Sequence, residues 1–434
     1  MHILTRVRQS QFLHHNAVFF FGSVAVGALN YVYYPVLGRM LAPAAFGEVQ
    51  TLVSLFLQFG IFLSVLSLVT VNIVANADND EQRNALVLEF EKLALVVSAV
   101  LLLVTLIFQS QLQAFLQFES SWPFVLLALA LVMTVPFTLR GAFLRGKQRF
   151  GLASTANLAG AGAKLGASAL LVAAGLGTAG AIGGIVLAQS LACALVVWWS
   201  LRLGLRSDTA VRRRRLPDIR LLLPELKYAL LVLVASLVVT VQYSIDIVVI
   251  KHYFDSHTAG LYAGIASAAR IIFFLTASVA LVLMPAVRLR NSAAQNRSLL
   301  LKSILLFGVL ALPALLLFMA FPRFIIGTLM GTSYESMAGL LPRLSLAIFV
   351  VSIINLLVAY YLALRRYAIA AVTTLGALIT YTLMVANHTS VAAVVNGLLI
   401  GSTVMLGLLL LWAGGARLHA SRVLGNKELE GGLR

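Results

Sequence analysis

Three ionisable side chains interrupt long runs of apolar residues: Lys164, Asp246 and Arg270. A charge inside a bilayer-spanning helix costs at least ~2.5 kcal/mol on insertion scales, so each is a functional hypothesis by default. Lys164 and Arg270 fall near the middle of their apolar runs, Asp246 in the outer third of its own. The chemistry on offer is binding and charge compensation. Fixed cations halfway across a membrane lower the barrier to an anion, and a guanidinium can grip two anion oxygens at once.

Lys164 shares a helical face with Asn157, seven residues before it, and Ser168, four after it. Asn30 and Tyr34, Ser54 and Gln58, and Gln242 and Asp246 each show the same four-residue step, which places both members on one side of a helix. Polar stripes on several helices predict a shared hydrated cavity containing Asn30, Gln58, Asn157, Lys164, Gln242 and Arg270. The alternative is hydrogen bonding that only joins helices to one another. Asp246 has two readings: a counter-ion for Arg270 or Lys251, which we prefer, or the site of a coupling proton or sodium ion. Arg39 and Lys251 are expected at the outer rim as headgroup anchors.

The elements that position these residues follow from composition. The chain has 434 residues, 61% hydrophobic and 11% charged, against roughly 25% charged in a soluble domain. This excludes a soluble enzyme. The expected fold is all-α and polytopic, with twelve membrane-spanning helices near 16–38, 48–73, 88–109, 122–144, 151–175, 179–202, 226–252, 259–287, 299–320, 337–363, 367–386 and 390–413. The net charge of +17 does not mark a nucleic-acid partner, because the basic residues sit in alternate connections between spans. That bias is the positive-inside pattern and puts both termini in the cytoplasm. The organisation expected is an amphipathic or flexible segment at 1–15, a six-span lobe at 16–203, a basic linker at 204–224, a second six-span lobe at 225–414, and a polar tail at 415–434.

The halves resemble each other. Gly47 and Gly260 follow the first span of each half, and Gly184 and Gly397 occupy the sixth, at the same separation. Arg149-Phe150 and Arg366-Tyr367 precede the fifth span of each half at nearly that separation. Two six-span repeats of like orientation, related by an axis along the membrane normal, suit a transporter whose bundles rock about a central cavity.

At these residues the sequence resembles the multidrug/oligosaccharidyl-lipid/polysaccharide (MOP) flippase superfamily, in its polysaccharide and O-antigen branch. The resemblance is carried by GRMLAPAAFG from Gly38 to Gly47, RGKQRF from Arg145 to Phe150, and Asp246 followed by AGLY from Ala259 to Tyr262. Alanine at position 42 replaces a glycine common in the family. The resemblance implies two six-helix lobes in the bacterial cytoplasmic membrane. It also implies export of polyprenyl-pyrophosphate-linked oligosaccharide, with a polysaccharide polymerase and glycosyltransferases as partners beside the membrane lipids. Lys164 and Arg270 would then meet the pyrophosphate or an acidic sugar.

Rival readings are a cation-coupled multidrug antiporter of the same superfamily and a membrane-embedded polymerase or glycosyltransferase. No phosphate-binding glycine loop is present, and the seven histidines lack metal-ligand spacing, so no cofactor is expected beyond a proton or sodium gradient. Cys193 reads as packing. The acids between Asp78 and Glu91 read as a solvated helix.

Overall fold

The computed structural model describes residues 22, 24–76, 79–205, 219–288 and 290–431. The segment 1–15 and the arginine run Arg212 to Arg215 lie outside them. Among the described residues the chain is helical, with no strand. Helix α1 covers 24–40. It is followed by α2 (Pro43–Asn76), α3 (Asp80–Phe115), α4 (Trp122–Gly146), α5 (Phe150–Leu171) and α6 (Gly177–Arg202). The second half contributes α7 (Ile219–Tyr253), α8 (Ser256–Ala269), α9 (Ile271–Ala286), α10 (Ala293–Ala320) and the short α11 (Pro322–Leu329). A 3-10 turn (Thr332–Leu340) leads into α12 (Leu341–Ala363), then α13 (Ile369–Ala386) and α14 (Val391–Gly431).

Ten helical stretches among the described residues are long and apolar enough to cross a membrane. One of them, Phe150–Arg202, is two helices, α5 and α6, reversed at Gly175 and Gly177, whose φ angles of 86° and 48° suit glycine. Helix α1 precedes the first of the ten. The polytopic all-α expectation therefore holds. The span expected at 259–287 is one apolar stretch, Ser256–Met284, with a one-residue local irregularity at Arg270 between α8 and α9, and α14 continues as helix to Gly431 through the residues of the expected polar tail.

Polarity is arranged for a lipid solvent. On α10, Leu301, Leu305, Val309, Leu312 and Leu316 are all exposed, and their three- and four-residue steps put them in one row. In water such a row would mark an interaction surface; in a bilayer it faces acyl chains. Small residues line the helix contacts. A β-carbon on Gly184 of α6 would fall 2.3 Å from the Ser168 nitrogen on α5. One on Gly401 of α14 would fall 2.5 Å from Cα of Thr380 on α13. Close backbone approach through small residues is how membrane helices gain packing when apolar burial provides no drive.

The halves also repeat a helix ending. Helix α4 closes with Gln148 at φ 59°, where Gln148 N–H donates to Arg145 O (2.9 Å) and Arg149 N–H to Leu144 O (2.8 Å). Helix α12 closes with Arg365 at φ 54°, where Arg365 N–H donates to Leu362 O (2.9 Å) and Arg366 N–H to Tyr361 O (3.0 Å). This is the same left-handed cap, with a non-glycine residue at both equivalent positions.

The chain forms two compact units. The first is Met1–Leu233 with Ile250–Ala268 and Arg323–Ala338. The second is Val234–Val249, Ala269–Pro322 and Gly339–Arg434. Two segments of the second sequence half thus belong to the first unit. Within that unit Gly47 meets Gly260, the Phe46 and Tyr334 rings meet edge to face at 6.0 Å, and the Gln50 amide donates to Ser267 Oγ.

Candidate functional site

In the first unit, α5 is built largely from Gly, Ala and Ser, and side chains this small let α1 approach closely enough for Lys164 to cross the gap. Lys164 Nζ donates to Asn30 Oδ1 on α1 at 2.7 Å and lies 4.3 Å from the Tyr33 ring centroid. The lysine and asparagine are half-buried, whereas Tyr33 is fully buried. No carboxylate pairs with Lys164 among the described residues. An aromatic face and a carbonyl oxygen stabilise the ammonium only in part, so its charge is left for an anion to complete. Asn157 and Gln58 are half-buried on α5 and α2. Ser168 leaves the proposed stripe: its hydroxyl donates to Ala181 O on α6 at 2.8 Å.

In the second unit Arg270 has a different environment. Its Nη2 donates to Asp246 Oδ1 at 2.6 Å and its Nε to the Tyr243 carbonyl at 3.2 Å, with the guanidinium 5.0 Å from the Tyr243 ring centroid. Asp246 is fully buried and Arg270 nearly so. Sequence reasoning put Arg270 in the cavity beside Lys164; the structure places it between α8 and α9 with its charge matched inside the unit. Gln242 is also interior, its amide donating to Thr380 Oγ1 and Ser402 Oγ, both at 2.9 Å. That side chain, buried in the unit, joins α7 to α13 and α14.

The rim expectations divide. Arg39 is exposed and donates to the Thr328 carbonyl. Lys251 is not a headgroup anchor: it is fully buried, donating to Gln117 O (3.0 Å) and Ser256 Oγ (2.8 Å) and lying 5.2 Å from the Phe118 ring centroid. A stem long enough to snorkel is drawn inward here because the end of α3 and the start of α8 present oxygen acceptors.

Glu48 was not foreseen. It is 4% exposed, and its carboxylate accepts from the Glu119 N–H (2.8 Å) and the Thr178 hydroxyl (2.7 Å). The only sequence signal was an acid near the start of an apolar helix. The acids of α3 divide: Asp80 and Glu81 are exposed, as a solvated helix requires, whereas Glu89 and Glu91 are buried. Arg140 Nε donates to Glu91 Oε1 at 2.9 Å, and Lys92 Nζ to Glu89 Oε1 at 3.0 Å. Part of the basic group at 140–149 is therefore neutralised internally. No cluster of metal-ligating side chains occurs among the described residues.

No curated protein matches this chain. Among solved structures, an inward-facing multidrug resistance transporter of the MATE family, in the MOP superfamily, is similar at a TM-score of 0.71 and 14% identity, covering 91% of this chain and 95% of that one. The lipid II flippase MurJ, in an inward closed conformation, is similar at a TM-score of 0.70 and 11% identity, covering 92% of this chain and 87% of that one. At such identities the likeness is one of fold. The sequence profile of a family described as polysaccharide biosynthesis protein matches residues 36–339. Because that match spans more than half of the chain, this multi-pass membrane protein belongs to the polysaccharide biosynthesis protein family.

Proposed function

We propose that the protein is a flippase for polyprenyl-pyrophosphate-linked oligosaccharide, moving it from the inner to the outer leaflet of a bacterial cytoplasmic membrane by alternating access. Both termini face the cytoplasm in this reading, and a proton or sodium gradient supplies the drive. The observation that carries it is Lys164: a mid-span ammonium oriented by Asn30 and Tyr33 and left without a carboxylate among the described residues. Retaining an uncompensated cation at that depth is costly. A pyrophosphate in transit offsets the cost while the ammonium lowers the barrier to the anion. A carrier of organic cations needs the opposite charge there. Family membership supports a substrate from polysaccharide assembly, and the MurJ-like fold supports a lipid-borne one.

Arg270 takes a supporting part. Held by Asp246 and Tyr243, it braces the start of α9 against α7, and Lys164 carries the anion contact in this reading. The test is reconstitution in liposomes with a fluorescent polyprenyl-pyrophosphate oligosaccharide. Protein-dependent movement that falls in Lys164→Ala and recovers in Lys164→Arg supports the reading. Absence of movement, with gradient-driven release of an organic cation, assigns the protein to multidrug export.

A further inference from the structure

The second unit contains a cavity that shares no residue with the Asp246–Arg270 pair or the Gln242 attachment. It has a volume of about 780 Å³ and lies between the first turns of α10 and the end of α12. Its lining includes Arg297, Arg366, Asn291, Tyr361, Leu301 and Leu364. A volume of this order accommodates a drug-sized ligand.

Two features define the ligand. The first is charge. Arg297 and Arg366 are exposed, no carboxylate lines the cavity, and the first turn of α10 carries no acid, so the positive end of a 28-residue helix adds to the two guanidiniums. The rim is held in place. Asn291 Nδ2 donates to Ala286 O (3.1 Å) and Asn296 Oδ1 (3.0 Å), and Asn296 Nδ2 donates to Arg288 O (2.9 Å). The left-handed turn at Arg365 closes α12 and presents Arg366 at the mouth. The second feature is continuity with the lipid-facing surface. Leu301 both lines the cavity and begins the exposed apolar row that continues through Leu305 and Val309. A freely soluble anion would not need that apolar side. A lipid would, placing its headgroup between the arginines and its chain along α10.

We propose that this cavity binds the phosphate-bearing headgroup of a membrane lipid, with Arg297 and Arg366 as its anion contacts. The phosphate has two sources, the pyrophosphate of a polyprenyl-linked glycan and a resident anionic phospholipid. The site stands independently of the flippase reading, because binding is measured in detergent without transport.

The test is native mass spectrometry of the full chain, titrated separately with phosphatidylglycerol and with a polyprenyl pyrophosphate. The wild type is compared with Arg297→Gln/Arg366→Gln and with Lys302→Gln, a neighbouring basic position outside the cavity lining. Charge-assisted contacts of this kind predict about tenfold or greater weakening in the double variant, with Lys302→Gln unchanged. Weakening for both lipids assigns a general anionic-lipid site, and weakening for the pyrophosphate alone assigns a substrate-loading site. A double variant that binds both lipids as tightly as wild type, or a Lys302→Gln loss equal to its own, overturns the proposal. Both arginines are exposed, so an unchanged thermal midpoint serves as the folding control.

Discussion

Gly47 and Gly260 touch: a β-carbon on Gly47 would fall 2.8 Å from Gly260 Cα, and one on Gly260 would fall 1.8 Å from the Pro43 carbonyl oxygen. These are the glycines that correspond between the two halves of the sequence. Backbone atoms occupy the space that a side chain on either glycine would need.

The first prediction follows from that contact. Gly260→Ala must displace the Pro43 backbone, and overpacking of this kind costs about 1–3 kcal/mol or more. The purified variant should unfold at lower temperature than wild type in a detergent thermal melt. Gly141→Ala, where a β-carbon meets nothing within 4 Å, should not. Equal midpoints for the two would show that the approach at Gly260 is looser than described.

Lys164 separates charge from size. Lys164→Ala should reduce transport about tenfold or more, the scale of one lost charge-assisted contact, while the protein reaches the membrane at wild-type level. Lys164→Arg should retain most of the activity, and Lys164→Met, similar in length but neutral, should not. Wild-type rates for the methionine variant would remove the ammonium from the mechanism.

For Asp246 and Arg270 the prediction is coupling. Removing one partner of a buried ion pair costs roughly 3–5 kcal/mol because the other charge is left alone, whereas replacing both with apolar residues is often near neutral. Asp246→Asn and Arg270→Gln should each lower thermal stability, and Asp246→Leu/Arg270→Met should recover much of the loss. If Asp246→Asn instead keeps its stability but transport ceases to respond to an ion gradient, the carboxylate is the coupling site.

Glu48 offers a test away from the mid-membrane charges. Glu48→Ala removes the acceptor of the Glu119 N–H and leaves the buried Thr178 hydroxyl with only a 3.4 Å contact to the Ala45 carbonyl, at about 1–3 kcal/mol. Glu48→Gln retains one acceptor oxygen and should fall between the two. Protection of the Glu119 amide in hydrogen exchange reports the change directly, and an unaltered rate in Glu48→Ala would exclude the contact.

Much of the architecture was legible without coordinates, for a physical reason. A bilayer requires every backbone group to be satisfied within its own helix, so a run of apolar residues of spanning length is by itself a structural statement. The all-helical, polytopic architecture and the exceptional status of Lys164, Asp246 and Arg270 follow from periodicity and charge within single helices. The closeness of Lys164 to Asn30 was also within reach, as both were singled out as polar positions facing inward.

Only the tertiary structure decided how charges were shared between helices. Asp246 pairs with Arg270, while among the described residues Lys164 has the neutral partners Asn30 and Tyr33; Glu91 takes up Arg140; Lys251 turns inward to Gln117 and Ser256. Each outcome depends on which helix lies alongside. A one-dimensional pattern records that a side chain is polar and which face of its own helix it occupies, but not what stands opposite. Pairing energies in a low-dielectric interior are set by distances of a few ångströms between segments far apart in the chain. The sequence alone determined that these charges were exceptional, and the fold determined which of them meet an opposite charge.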